Sequence, residues 1–149
     1  MHPSLTRTAA SATLHCLTGC AIGEVLGMVL STALGWHDIA SIALSIALAF
    51  VFGYGLSMLP LLRHGLNIRR ALQLALIADT ASIATMEIAD NAFMLAVPGA
   101  MSATLDSTLF WISLLTSLVI AYAVAFPLNR WLIGRGKGHA VVAEYHHGH

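Results

Sequence analysis

Residues 68–97 read IRRALQLALIADTASIATMEIADNAFMLAV, a long apolar run that holds three carboxylates, Asp79, Glu87 and Asp90. About 20 apolar residues are enough for a helix to cross a hydrocarbon core about 30 Å thick. An acidic residue at the bilayer centre costs on the order of 2.5–3.5 kcal/mol, so such residues face a bundle interior, pair with another group, or carry an ion. The stretch predicts a membrane-spanning helix with functional residues inside the bundle.

The composition of the whole chain supports this interpretation. The 149 residues are 58% hydrophobic and 9% charged, with a mean hydropathy of +0.80, whereas soluble domains have about 25% charged residues. The net charge is zero with His neutral, which gives no electrostatic footprint for nucleic acid. We therefore predict an integral membrane protein whose main partner is the lipid bilayer.

Three further apolar segments, residues 9–34, 39–62 and 108–133, are also long enough to span a bilayer. Asn67 is a plausible N-cap for the third segment. Glu24 lies inside the first segment, and the run continues to Leu34, which favours a retained helix over a cleaved signal peptide. We predict an all-α integral membrane bundle of four transmembrane helices over residues 1–138, followed by a His-rich cytoplasmic tail over residues 139–149.

The positive charges predict the orientation of the bundle. They precede the first segment, separate the second from the third, and follow the fourth, so that all fall on one side. By the positive-inside rule both termini are cytoplasmic, in a multi-pass protein of a bacterial inner membrane. These residues are Arg7, Arg63, Arg69, Arg70, Arg130, Arg135 and Lys137.

The first segment combines small residues with soft metal ligands. At 100° per residue, Cys16, Cys20 and Glu24 share one face with a glycine ladder at residues 19, 23 and 27, and Met28 lies at its edge. Such a ladder allows another helix to approach closely, either within the bundle or from a second copy in a homo-oligomer. Thiolate and thioether ligands suit Cu(I) and Zn(II). Alternatively, the cysteines are small buried hydrophobic residues.

The third segment carries a polar stripe along most of its length. Asp79, Met86, Asp90 and Met94 lie within about one third of the helix circumference, and Glu87 lies one step round. No Lys or Arg lies in the middle of an apolar segment, so the charge must be balanced by protons, bound cations or neighbouring hydrogen-bond donors. Alternatively, neutral acids simply bond the helices together.

We expect the two stripes to face each other as a graded path for an ion. The predicted metal ligands are Cys16, Cys20, Glu24, Met28, Asp79, Met86, Glu87 and Asp90. Possible accessory ligands are His15, Asn91, Met94, His146, His147 and His149. No catalytic residue is predicted, because the sequence contains neither a nucleotide-binding loop nor a Ser–His–Asp pattern, and we expect a protein that is not an enzyme.

Three motifs extend over most of the chain: HCxxGCxxGEVLGM at residues 15–28, ADTxSIxxMEIxDN at residues 78–91 and FPxNRWL at residues 126–132. With these motifs the chain resembles an uncharacterised family of small four-helix bacterial membrane proteins, catalogued as a domain of unknown function. The resemblance implies a four-helix membrane fold and an association with copper-related neighbourhoods. It implies no catalytic role for any residue.

Three functional hypotheses follow. The first is binding or transport of a soft metal ion, Cu(I) before Zn(II), through the intramembrane cysteines and carboxylates. The second is a proton-coupled carrier or channel for a small solute, in which the cysteines only pack. The third is a membrane thiol or quinone oxidoreductase, although two cysteines one turn apart on a helix are awkward for a disulfide of normal geometry.

Overall fold

A computed structural model of the protein describes residues 5–37, 39–100 and 102–135. They form four helices, α1 (Leu5–Leu34), α2 (Ile39–Arg63), α3 (Ile68–Ala96) and α4 (Thr108–Gly134). All four are long and apolar enough to cross a membrane, and the described residues form no strand. The predicted all-α bundle of four transmembrane helices is confirmed. The placement of the termini and the domain division stay predictions, and residues 139–149 lie outside the described part.

The helix boundaries follow from local chemistry. Asn67 caps α3 as predicted, because its side-chain oxygen accepts a hydrogen bond from the Arg70 backbone N–H at 2.8 Å. Gly35, Gly65 and Gly99 follow the first three helices and adopt φ angles of 71°, 90° and 80°. Glycine adopts positive φ without the steric cost that a Cβ brings, so the chain reverses at these points.

The four helices form a square bundle. α1 lies beside α2 and α4, α3 also lies beside α2 and α4, and α1 and α3 touch across the centre. Large apolar side chains cover the outside: Ile39 is 81% exposed and Ile88 is 71% exposed. The interior contains mostly small and polar residues. A lipid environment favours this arrangement, in which apolar side chains face outward and small or polar residues lie between the helices.

The two ends of the bundle differ in charge. Every described arginine is exposed and lies near the end formed by the start of α1, the α2–α3 connection and the end of α4. We call this the Arg-rich end. The opposite end is formed by the α1–α2 and α3–α4 connections, and we call it the loop end.

The glycine ladder of α1 packs inside the bundle against α2. A Cβ added at Gly23 would lie 2.4 Å from the Ala49 backbone nitrogen, so only a glycine permits this approach. The opposed pairs are Gly19 with Gly53, Gly23 with Ala49, and Gly27 with Ser45. Because the ladder is occupied by α2, it does not support contact with a second copy, and the predicted homo-oligomer loses this argument.

Candidate functional site

The site lies where α1 and α3 meet at the centre of the bundle. We call this row of facing side chains the α1–α3 seam. On α3 the seam residues are at most 3% exposed, and the two α1 cysteines are 1% and 2% exposed. The seam comprises Cys16, Cys20 and Glu24 on α1, and Asp79, Ser82, Met86, Glu87 and Asp90 on α3.

Two sulfur atoms meet in the middle of the seam. Cys20 Sγ lies 3.9 Å from Met86 Sδ, and the Cys20 thiol is also within hydrogen-bonding reach of Glu87. These two sulfurs would hold a soft metal ion between α1 and α3. A thiol and a thioether at this spacing are suitable ligands for a soft metal ion.

Cys16 has different neighbours from Cys20. Its thiol donates to Asp79 Oδ1 at 3.5 Å and lies beside the Ser82 hydroxyl. Neither cysteine forms a disulfide bond, and each contacts its own set of α3 side chains. The oxidoreductase hypothesis gains no support from this arrangement.

Three carboxyl groups cluster on the loop-end side of Cys20. Glu24 lies close enough to Asp90 for the two to share a proton in a hydrogen bond, and Glu87 adds to the charge around both. The Ser117 hydroxyl donates to Asp90 Oδ1, and the Asn91 amide donates to Glu87 Oε2 at 3.3 Å. Glu24 Oε1, Glu87 Oε1 and Asp90 Oδ2 are buried without a hydrogen-bond partner. This cluster has free acceptor oxygens to offer to a proton or a cation.

A cavity of about 490 Å³ connects this carboxyl cluster with the loop end. Glu24, Met28 and Asn91 line its inner part, with Met94 and Ser31. We call it the loop-end cavity. Among the residues that the structure describes, its lining includes the exposed Trp36 and His37 and no Lys or Arg. The sequence analysis did not predict this cavity, because its lining combines residues from all four helices and from both loop-end connections.

A second polar group lies on the other side of the seam, toward the Arg-rich end. The Asn129 amide on α4 donates to Thr13 Oγ1 at 2.9 Å and to Ser82 Oγ at 3.0 Å. All three side chains are at most 1% exposed. Sequence analysis did not single out Asn129 or Thr13, and the only signal was the position of Asn129 inside the FPxNRWL motif.

The remaining predicted ligands have varied positions. Asn91 and Met94 lie at the cavity, as described above, whereas His15 is half-buried with an Nε2 atom that makes no hydrogen bond. His146, His147 and His149 lie outside the described residues. Within the described ranges, no group of three or more His, Cys, Asp and Glu side chains is arranged to hold a metal ion. The predicted ligands therefore form a row along the seam rather than a closed cage.

The fold and the seam together define a four-helix protein of membrane-spanning type with a buried row of thiols and carboxyls. The chain matches a family model described as "Domain of unknown function (DUF4396)" over residues 6–138. It therefore belongs to this family, as its motifs suggested. Searches of the curated proteins and of the solved structures find no match to the chain.

Proposed function

We propose that the protein binds a soft transition-metal ion within the membrane, Cu(I) in preference to Zn(II), and passes it along the α1–α3 seam. The observation that carries the proposal is the 3.9 Å separation of Cys20 Sγ and Met86 Sδ in the buried centre of the bundle. Thiolate and thioether ligands favour soft metal ions, and Cu(I) and zinc are both among them. The Cys16 thiol, one helical turn away, is a second soft ligand on the same path.

The carboxyl cluster supports the same proposal. Glu24, Glu87 and Asp90 lie between the sulfur pair and the loop-end cavity, so a cation from the loop end meets negative charge before it meets sulfur. Buried acidic groups are costly in a membrane unless a proton or a cation accompanies them. A row of partial sites, each with two or three ligands, suits an ion that must leave as well as enter.

Proton release should accompany metal binding. A thiol or carboxyl group must lose its proton before it can bind a metal as an anion, so metal affinity depends on pH. We expect binding to weaken as the pH falls. The proposal places the protein in a bacterial inner membrane with both termini in the cytoplasm, as the distribution of arginines predicts.

Elemental analysis of the purified protein tests the proposal. The protein is isolated in mild detergent under reducing conditions, loaded with Cu(I) or Zn(II), and washed. We expect stoichiometric copper in the wild type and its loss in Cys20→Ser and Met86→Leu. Met58→Leu on α2 is the matched control, because Met58 packs against a separate apolar cluster and should leave metal content unchanged. No bound copper or zinc in the wild type, or full occupancy in a Cys16→Ser/Cys20→Ser variant, would contradict the proposal.

Proton-coupled transport of a small solute is the second candidate function. The observation that favours it is the size of the loop-end cavity, since about 490 Å³ is far more than a bare ion needs and falls in the range of small-molecule sites. In this case the carboxyl cluster relays protons and the cysteines only pack. In liposomes, Glu87→Gln should then abolish proton flux while the double cysteine variant stays active. Unchanged flux in Glu87→Gln would exclude this function.

A further inference from the structure

Ser31 differs from the other helical hydroxyl side chains of the bundle in its hydrogen bonding. A serine or threonine inside a helix can donate to the carbonyl four residues earlier, and Thr13, Thr18 and Thr116 do so here. Ser31 is 1% exposed, and its Oγ is buried without a hydrogen-bond partner. It lines the loop-end cavity. A buried hydroxyl without a partner is unfavourable, so a ligand in the cavity that bonds Ser31 would remove this cost.

A second polar atom without a partner lies deeper in the same cavity. Glu24 lines the cavity, and its Oε1 is buried without a hydrogen bond. Glu24 and Asp90 are close enough to share a proton, and a pair of carboxyl groups that shares one proton keeps one negative charge. Within the described part of the chain, no Lys or Arg lines the cavity to balance this charge. The inner end of the cavity therefore suits one positive charge.

The two polar atoms are too far apart for a single ion to contact both. Glu24 and Ser31 lie about two helical turns apart on α1, which is roughly 10 Å along the helix axis. The wall that Met28, Ile42 and Phe110 contribute to the cavity is apolar. The volume of about 490 Å³ lies in the range of small-molecule sites. An elongated organic molecule with an apolar middle fits this lining better than an inorganic ion.

We infer that the loop-end cavity binds a small amino alcohol, with its ammonium and hydroxyl groups at opposite ends of a short carbon chain. The ammonium group bonds Glu24 Oε1, the chain contacts Met28, and the hydroxyl group bonds Ser31 Oγ. An alkylammonium group stays charged at neutral pH, as the lysine side chain does. At the loop end, the ring of Trp36 is 45% exposed and offers an entering cation an attractive face.

The inference names a solute class for the second candidate function. It rests on that function only through the shared cavity, because binding is measured without transport. It does not include Cys20 or Met86 and so does not depend on the metal proposal.

Isothermal titration calorimetry of the full-length protein in mild detergent tests this inference, with titrations of empty micelles subtracted. The probes are 5-aminopentanol, pentylamine, which lacks the hydroxyl group, and 1,5-pentanediol, which lacks the charge. We expect saturable binding of 5-aminopentanol, weaker binding of pentylamine and no measurable binding of 1,5-pentanediol. Glu24→Gln should weaken 5-aminopentanol binding at least about tenfold, because hydrogen bonds between charged groups are stronger than those of neutral groups.

Ser31→Ala tests the contact with the hydroxyl group. It should weaken 5-aminopentanol binding about three- to tenfold, the usual effect of one hydrogen bond, and leave pentylamine binding unchanged. Ser57→Ala is the matched control, because Ser57 is a serine of α2 that is 2% exposed and does not line the cavity. It should bind both amines as the wild type does. Gel filtration checks that each variant is folded.

The probe series on the wild type can overturn the inference without any variant. It is wrong if 5-aminopentanol shows no saturable binding, or if 1,5-pentanediol binds as tightly. Wild-type affinity in folded Glu24→Gln, or an equal loss for both amines in Ser31→Ala, would also contradict it. Copper content is measured on the same preparations. Loss of amine binding with copper retained rejects this inference alone, and the reverse result rejects the metal proposal alone.

Discussion

Two neighbouring rows of α1 have the same four-residue spacing and opposite roles. Gly19, Gly23 and Gly27 face α2 and have no side chain to offer. The row of Cys16, Cys20 and Glu24 lies against α3 and bears the thiols and the carboxyl group of the α1–α3 seam. The glycine row allows backbones to approach, and the adjacent row occupies the space at the bundle centre. The comparison shows that close packing on one face of α1 positions the polar groups on the adjacent face of the same helix.

The largest expected effect comes from filling the glycine row. Gly23→Val should prevent folding or cost more than about 3 kcal/mol, because the new side chain would meet the α2 backbone rather than a movable side chain. Yield and thermal unfolding in detergent measure this. Gly55→Ala is the matched control, since a Cβ there meets nothing within 4 Å, and it should be neutral or stabilise α2 by up to about 1 kcal/mol. If Gly23→Val is as stable as the wild type, the glycine ladder does not set the distance between α1 and α2.

A change in the adjacent row should affect binding rather than folding. Cys20→Ser replaces a thiol with a smaller hydroxyl and should reduce Cu(I) affinity by at least about a hundredfold. Removal of a group that only hydrogen-bonds to a metal ligand usually reduces affinity by about 10–100-fold, and the loss of a ligand itself should have a larger effect. Competition with a Cu(I) chelator measures the affinity, and thermal unfolding shows whether stability is kept. If stability and affinity fall together, the two rows are not separate in function.

A carboxyl change at the loop-end side of the seam should have a moderate effect. Glu24→Gln keeps the shape of the side chain and removes one of the three carboxyl groups that lie between the cavity and the sulfur pair. We expect Cu(I) affinity to fall about tenfold, which corresponds to about 1.4 kcal/mol, because the ion loses one acidic group on its way to the sulfurs. Glu144→Gln in the tail is the control, since it also replaces one acidic side chain with an amide, and it should leave Cu(I) affinity unchanged. An unchanged affinity in Glu24→Gln would indicate that ions reach the sulfurs by another route.

The smallest effect is expected at the cavity. Met94→Leu replaces a thioether of nearly equal volume that lines the loop-end cavity, and such swaps usually cost less than about 1.5 kcal/mol in stability. Cu(I) affinity should fall less than about threefold, in contrast to Met86→Leu at the sulfur pair, because Met94 lies about two helical turns beyond Met86 on α3. Equal losses in the two variants would place the main site at the cavity instead.

Much of the fold was predictable from local patterns. Three of the four helices begin at the predicted residue, and α1 begins at Leu5, four residues before the predicted start at residue 9. The Asn67 cap depends on a few neighbouring residues, which is why it could be predicted from the sequence. The sequence also predicted that the stripes of α1 and α3 face each other, because helical periodicity puts the polar residues of each segment on one side and both sides must turn away from lipid.

Other features depended on which helices became neighbours. The glycine ladder was compatible with α2 or with a second copy, and only the bundle assigned it to α2. The pairing of Asn129 with Thr13 joins residues 116 positions apart, and no local rule connects them. The same holds for Ser117 and Asp90.

The amino-acid order alone therefore settled how many helices there are, where they end and which side of α1 and of α3 avoids lipid, because these depend on length, hydropathy and spacing within one segment. The packed bundle decided which polar side chains meet, where the cavity opens and that the sulfur pair is Cys20 with Met86. Those outcomes depend on the relative rotation and axial position of helices far apart in the chain, which are set by the sum of many side-chain contacts between them.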